Sequence, residues 1–227
     1  MKHEIKNLSP DVPQGGDDSI YYDGIYYMIY RQATDKEAGS VLVSMLESGA
    51  IKRENNEKVL RIPETIKKDK NIYIVVGICV SAITVDVNKL ILPPTLEIFS
   101  GASFSRCSIG RIEITTPETD IPPMISVENS SLIFDKSGER LIYASNKIPI
   151  GVAEWRGTKI IGEYAFRDYE GEEITIPHSV EYVERLAFAK ADNLRTVYFE
   201  EHIPCGVNIS TFNLVYENIC IKLIRKP

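Results

Sequence analysis

Three histidines, four cysteines and one tryptophan in 227 residues leave little material for the commoner protein chemistries. His3, His178 and His202 include no pair at the i, i+4 spacing that sets two imidazoles on one helix face, so no helical metal site is expected. Cys79, Cys107, Cys205 and Cys220 are too dispersed for a disulfide framework and form no CxxC pair. They are expected to pack as free thiols, and neither zinc nor any cofactor is expected. Basic residues are in deficit: 26 Lys and Arg against 32 Asp and Glu give a net charge of −6, without the cationic field of a nucleic-acid binder. The longest apolar stretch, Ile72 to Val85, contains Gly77, Ser81 and Thr84 and is shorter than the ~20 residues of a membrane span. The opening MKHEIKNLSPDVPQGGDDS lacks the apolar core of a secretory signal, and residues 1–18, rich in Pro, Gly and Asp, read as a mobile leader.

What is present is a folded composition, 44% apolar and 26% charged, organised by repetition. From Ser19, SIYYDGIYYMIY brackets an Asp23-Gly24 turn signal with aromatic and β-branched residues, and SVLVSML follows. Residues 19–58 are therefore expected to form an N-terminal β-hairpin cap. Beyond it a short strand phrase, apolar-x-apolar followed by Pro or Thr, recurs at Leu60-Arg61-Ile62-Pro63, Leu90-Ile91-Leu92-Pro93, Ile112-Glu113-Ile114-Thr115 and Ile174-Thr175-Ile176-Pro177. Val197-Tyr198-Phe199-Glu200 is a fifth copy with glutamate in place of proline.

A second phrase leads through a small residue to Phe or Ile: GICVSAI at 77–83, EIFSGASF at 97–104, KIIGEYAF at 159–166 and YVERLAF at 182–188. Their last residues, 83, 104, 166 and 188, are separated by 21, 62 and 22 positions, so the repeat keeps phase through a divergent middle. That middle, 115–157, contains SSLIFDKSGERLIYAS, which reads as a hairpin inserted where one regular repeat would sit. A period of ~20–29 residues is that of leucine-rich repeats. Each copy is one strand and one compact turn, and stacking joins their apolar faces into a continuous core. Period-two alternation points Leu90 and Leu92 inward and Lys89 and Ile91 outward. Ala165 and Ala187 let neighbouring turns approach, with Phe166 and Phe188 filling the space beside them. Residues 59–200 are the expected repeats, and 201–227 an apolar C-terminal cap of the same single domain, 19–227. The strands at 60–62, 90–92 and 174–176 are expected to be neighbours.

ITIPHSVEYVERLAFAKADNLRTVYF at 174–199, with KIIGEYAF before it, resembles the repeat of the BspA-like (Treponema pallidum type) leucine-rich-repeat proteins of bacteria. YYDGIYYMIY followed by VLRIPETI is similar to the N-terminal cap of that family, and SSLIFDKSGERLIYAS to its interspersed hairpin. The resemblance spans roughly residues 19 to 200. It implies a β-rich α/β solenoid, a right-handed leucine-rich-repeat array with a strand-lined face. It also implies secreted or cell-surface proteins of adhesion or protein binding, and no catalytic residue.

His178-Ser179 sits in the turn after a repeat strand, where adjacent side chains point apart. Glu172-Glu173 and Glu200-Glu201 offer carboxylates to a hydrolase, but a solvated strand edge explains them more simply. Asn7, Asn129 and Asn208 begin N-x-S/T triplets, relevant only in a glycosylating host. The principal candidate is the outward row of the repeat strands, Arg61, Ile91, Glu113, Thr175 and Tyr198, with the preceding outward positions Lys89, Arg111, Glu173 and Thr196. Mixed charge with Tyr and Arg suits a protein ligand, of host or extracellular-matrix origin among the candidates. On this reading Tyr198→Ala and Arg111→Ala weaken binding without lowering the melting temperature. The alternative is glycan stacking on Tyr21, Tyr22, Tyr26, Tyr27 and Tyr30 of the cap.

Overall fold

The computed structural model describes residues 19–145, 157–212 and 219–224. The expected leader, 1–18, lies outside the described residues, as do parts of the divergent middle and of the C-terminal segment. Seventeen strands dominate the described residues. β1 (Ser19–Tyr22) and β2 (Ile25–Arg31) form the predicted hairpin, with Asp23 at φ 46° and Gly24 at φ 82°, the doubly left-handed turn that the Asp-Gly pair favours. β3 (Gly39–Leu46) pairs with β2, and its first five residues are buried. β4 (Ile51–Glu54) and β5 (Glu57–Arg61) form a second hairpin, and β6 (Thr65–Lys68) and β7 (Asn71–Ile78) a third. One sheet has the order β1-β2-β3-β7-β6, with β3 and β7 parallel.

The repeat strands follow. β8 (Val87–Leu92) and β9 (Ile109–Ile114) extend β5 into the parallel ladder β5-β8-β9. β10 (Ile125–Glu128), β11 (Leu132–Asp135) and β12 (Arg140–Ala144) are antiparallel, and the last two are the predicted inserted hairpin. β12 then runs parallel to β13 (Ile160–Ile161), which pairs with β15 (Tyr182–Val183). A second parallel ladder joins β14 (Glu173–Ile176), β16 (Thr196–Glu200) and β17 (Cys220–Ile224). Two expectations need correction here. The strands at 60–62 and 90–92 adjoin, but 174–176 pairs with 197–199 in a separate sheet, because the antiparallel hairpin interrupts the ladder.

The α component is the other correction. Among the described residues the only α-helix is α1 (Ile209–Phe212), with 3-10 turns at Ser48–Ala50 and Gly101–Ser103. The return segments are corners. Tyr164 and Leu186, each two residues before the repeat phenylalanine, have φ of 58° and 56°, and Asp168 and Lys190, two residues after it, have 59° and 57°. Left-handed residues four apart cannot belong to a right-handed helix. Gly101 marks a close approach of two coils, since a Cβ there would lie 1.9 Å from the Tyr164 carbonyl oxygen.

The buried residues form two cores, and the inserted hairpin is the wall between them. Ile133 and Tyr143, cross-strand partners, face the first core, where the Tyr143 ring lies 4.3 Å from that of Phe104. Leu132, Phe134, Leu141 and Ala144 face the second. This explains why both hairpin strands are apolar on both faces, as sheets covered on two sides are. In the second core Phe166, Phe188 and Phe212 stack with centroid separations of 4.9 and 5.5 Å, and Ala165 and Ala187 are fully buried beside them. In the segment expected to close the array, the repeat pairing runs one coil further: Phe188 donates its N–H to Thr211, and β17 lies parallel to β16.

Candidate interaction surfaces

On the first ladder, register aligns Val59, Lys89 and Arg111 in one outward row and Arg61, Ile91 and Glu113 in the next. The charges are mutually engaged. Arg111 donates two hydrogen bonds to Glu57, at 2.8 and 2.5 Å, reaching across β8 to β5, and a third, at 3.4 Å, to Glu113. Lys89 meets the other Glu113 oxygen at 2.6 Å, and Arg61 lies 3.7 Å from Glu54. Arg111 holds the Glu57 carboxyl below its usual range by hydrogen bonding, and Lys89 followed by Arg111 does the same for Glu113. Arg111 is therefore a cross-strand tie, and its removal leaves Glu57 without that partner. Ile91, outward by register, is only 4% exposed and offers no contact surface.

The other four expected contacts lie on the second ladder. Glu173 aligns with Thr196 and Cys220, and Thr175 with Tyr198 and Lys222. The Tyr198 hydroxyl lies 3.4 Å from Glu173, and the Lys222 ammonium sits 5.3 Å from the Tyr198 ring centroid. Thr196 is buried at 8% exposure. The accessible part of this face thus comprises Glu173, Thr175, Tyr198, Cys220 and Lys222. Lys222 was missed from sequence because the segment after 200 lacks the repeat phrase, although Ile221-Lys222-Leu223 has the apolar-x-apolar form. The imidazole of His178 contacts Glu200 at 3.4 Å rather than its neighbour Ser179.

The five tyrosines do not form one cluster. Tyr27 is fully buried, because alternation within β2 turns it onto the core opposite Ile20, and so it is no sugar contact. Tyr21 and Tyr26 are cross-strand partners with rings 4.8 Å apart. Both hydroxyls donate to Glu47 at 3.0 Å, and these bonds to a carboxylate raise both phenol pKa values. Tyr22 and Tyr30 are exposed, outside that pair. Two of the four thiols, Cys79 and Cys107, are buried; burial pushes Cys107 up to about 12, which keeps it protonated. Cys205 and Cys220 are exposed. Among the described residues no cluster of His, Cys, Asp or Glu has the arrangement of a metal site, and no helix is long and apolar enough to cross a membrane.

Residues 155–217 match the family model described as a BspA type leucine rich repeat region, in six copies. A leucine-rich repeat protein from Bacteroides ovatus aligns with 91% of this chain at 17% identity and a TM-score of 0.40, and the chain covers 53% of that protein. A leucine-rich repeat protein from Eubacterium ventriosum aligns over 91% of this chain and 85% of its own at 11% identity and a TM-score of 0.37. A leucine rich cell surface protein from Faecalibacterium prausnitzii aligns over 92% and 73%, at 11% identity and a TM-score of 0.24. The chain thus spans about half the length of the Bacteroides ovatus protein. No curated protein matches it.

Proposed function

We propose that this chain, whose residues 155–217 match a BspA type leucine rich repeat model, is a non-catalytic interaction module of a bacterial surface or secreted protein, with a role in adhesion. Its array coils right-handed, the sense that parallel crossovers take from strand twist, and its ligand is a protein. The observation that carries this reading is the second strand ladder, where Thr175, Tyr198 and Lys222 stand in register on parallel strands. Neighbouring strands hold such side chains ~4.7–4.9 Å apart, so a partner meets an ordered row and less entropy is lost on association. Tyr198 is the anchor and Glu173 and Lys222 are its flanking charges. The first ladder contributes little, because its ion pairs are closed on themselves.

Interferometry of the whole chain against a panel of extracellular-matrix proteins, alongside a glycan array, tests this. The expected result is a protein ligand whose affinity falls by about 5–30-fold in Tyr198→Ala, as truncating an interface anchor does, and not at all in Lys190→Ala. Binding confined to glycans, lost in Tyr21→Ala and unchanged in Tyr198→Ala, would move the site to the Tyr21–Tyr26 pair. Hydrolytic turnover lost on replacing Glu173 or Glu200 would establish an enzyme instead.

A further inference from the structure

The second ladder has the order β14-β16-β17, so β17 is an edge strand. Its inner side is fixed by hydrogen bonds: Cys220 donates to the Arg195 carbonyl, and Ile224 accepts from Glu201. Backbone groups alternate in direction along a strand, so the N–H and C=O of Ile221 and Leu223 point to the outer edge. Proteins usually protect such an edge with proline, a bulge, inward charge or a covering loop. Residues 220–224, Cys-Ile-Lys-Leu-Ile, contain no proline, the pairing with β16 runs without a register shift, and among the described residues no strand pairs with the outer side.

The side chains at this end are incomplete in the same direction. Ile221 and Leu223 continue the inward rows of Val197 and Phe199, which are 0% and 1% exposed, yet Leu223 is 44% exposed. Ile224, Ile203 and Ile209 of the same coil are exposed at 40%, 51% and 65%. On the outward row, Lys222 rests over Tyr198 and makes no ion pair among the described residues. A carboxylate on a further strand would come within reach of it, as Glu113 on β9, one outward position along from Arg111, the register partner of Lys89, reaches diagonally to Lys89 on β8 at 2.6 Å. Aliphatic side chains on either side of that carboxylate would cover Ile221 and Leu223.

We propose that the outer edge of β17 is a strand-addition site, taking an extended segment of another protein with the pattern aliphatic–acidic–aliphatic as the next parallel strand of the ladder. Main-chain bonds to Ile221 and Leu223 supply the pairing, and Lys222 selects the central residue, the division of labour general to strand addition. The site is an edge of the sheet, and it stands whether or not the face of the ladder binds a ligand.

Fluorescence anisotropy on the whole chain tests this with a labelled peptide, Ser-Thr-Ile-Glu-Ile-Thr-Ser, and its counterpart with Lys for Glu. The native chain is expected to bind the Glu peptide at least 10-fold more tightly than the Lys peptide, and Lys222→Glu to reverse that preference. Leu223→Pro removes an outward N–H at an edge position where proline is tolerated. It should abolish binding of the Glu peptide while circular dichroism and the urea midpoint stay unchanged. The reversal by Lys222→Glu is an independent reading should the proline variant fail to fold. Equal binding of both peptides, absence of saturable binding, or a concentration-dependent dimer in sedimentation that Leu223→Pro dissolves would each overturn the proposal, the last by giving the edge to a second copy of the chain.

Discussion

Replacing Phe188 by alanine probes the element that most defines the second half of the molecule. Phe188 is 1% exposed and lies between two other rings, 4.9 Å from Phe166 at 5° and 5.5 Å from Phe212 at 21°. A buried Phe→Ala change costs about 3–5 kcal/mol in lost transfer energy and residual cavity, and stacked aromatic pairs add about 0.5–1.5 kcal/mol each beyond their area. Two lost pairs and a ring held by neighbouring coils on both sides place Phe188→Ala at about 5 kcal/mol. Phe188→Leu keeps most of the volume but neither stack, and should cost about 1–3 kcal/mol. Urea unfolding followed by far-ultraviolet circular dichroism measures both. The stacking has a sharper signature in double-mutant cycles. Phe188→Leu with Phe212→Leu should couple by about 0.5–1.5 kcal/mol, whereas Phe188→Leu with Phe104→Leu, on opposite sides of the β11–β12 wall, should add to within about 0.5 kcal/mol. A cost below about 2 kcal/mol for Phe188→Ala, or equal coupling in the two cycles, would refute the two-core reading.

Three other outcomes follow from particular residues. Lys190 is exposed with φ 57°; a left-handed non-glycine residue costs about 1–2 kcal/mol and glycine's extra entropy about 0.5–1, so Lys190→Gly should stabilise by about 0.5–1 kcal/mol in a urea titration. Glu64 is 2% exposed and its carboxylate accepts the N–H groups of Glu118, at 2.6 Å, and Thr119, at 3.0 Å, besides the Thr119 hydroxyl. Glu64→Ala frees those donors, should cost about 2–4 kcal/mol, and should speed limited proteolysis within residues 115–124. Glu57 and Glu113 have folded pKa values below their unfolded ones, so their stabilisation is complete above the ordinary carboxylate pKa of ~4.3 and fades as pH falls through the lower folded values. The melting temperature should therefore fall less between pH 5 and pH 3 in the Glu57→Gln/Glu113→Gln double variant than in the native chain, and 1 M salt should narrow the difference.

The repeat and the two expected hairpins, β1–β2 and β11–β12, were legible because each rests on a local signal. Asp23-Gly24 and Ser137-Gly138 announce turns, and the Ala-Phe pairs at 165–166 and 187–188 mark where coils stack. Corner geometry was not legible. Nothing in the residue types of Tyr164, Leu186 or Lys190 favours a left-handed backbone, so the compact turns were legible but not their φ values, nor the absence of the helix that the family resemblance implied. The candidate site divided the same way. Period-two alternation placed Tyr198 and Thr175 on the outer face, but it assigns direction and not accessibility, and Ile91 and Thr196 point outward by register while buried. Arg111 was placed on the correct face without its tie to Glu57, because a contact across an intervening strand joins residues 54 positions apart.

The inserted hairpin explains why the array is divided. A repeat strand hides one face inward and presents the other outward, so stacking alone would continue a single core through the molecule. β11 and β12 carry apolar side chains on both faces, and a sheet of that kind is stable only between two apolar layers. The first core supplies Phe104 against Tyr143; the second receives Leu132, Phe134 and Leu141. β12 then offers its far edge to β13 as a parallel template, with Ala144 donating its N–H to Ala165 just as Phe166 donates to Ala187 one coil later. An element that is irregular toward the first half is thus a regular first rung for the second, and the 62-residue interval between Phe104 and Phe166 keeps phase with the repeat for that reason.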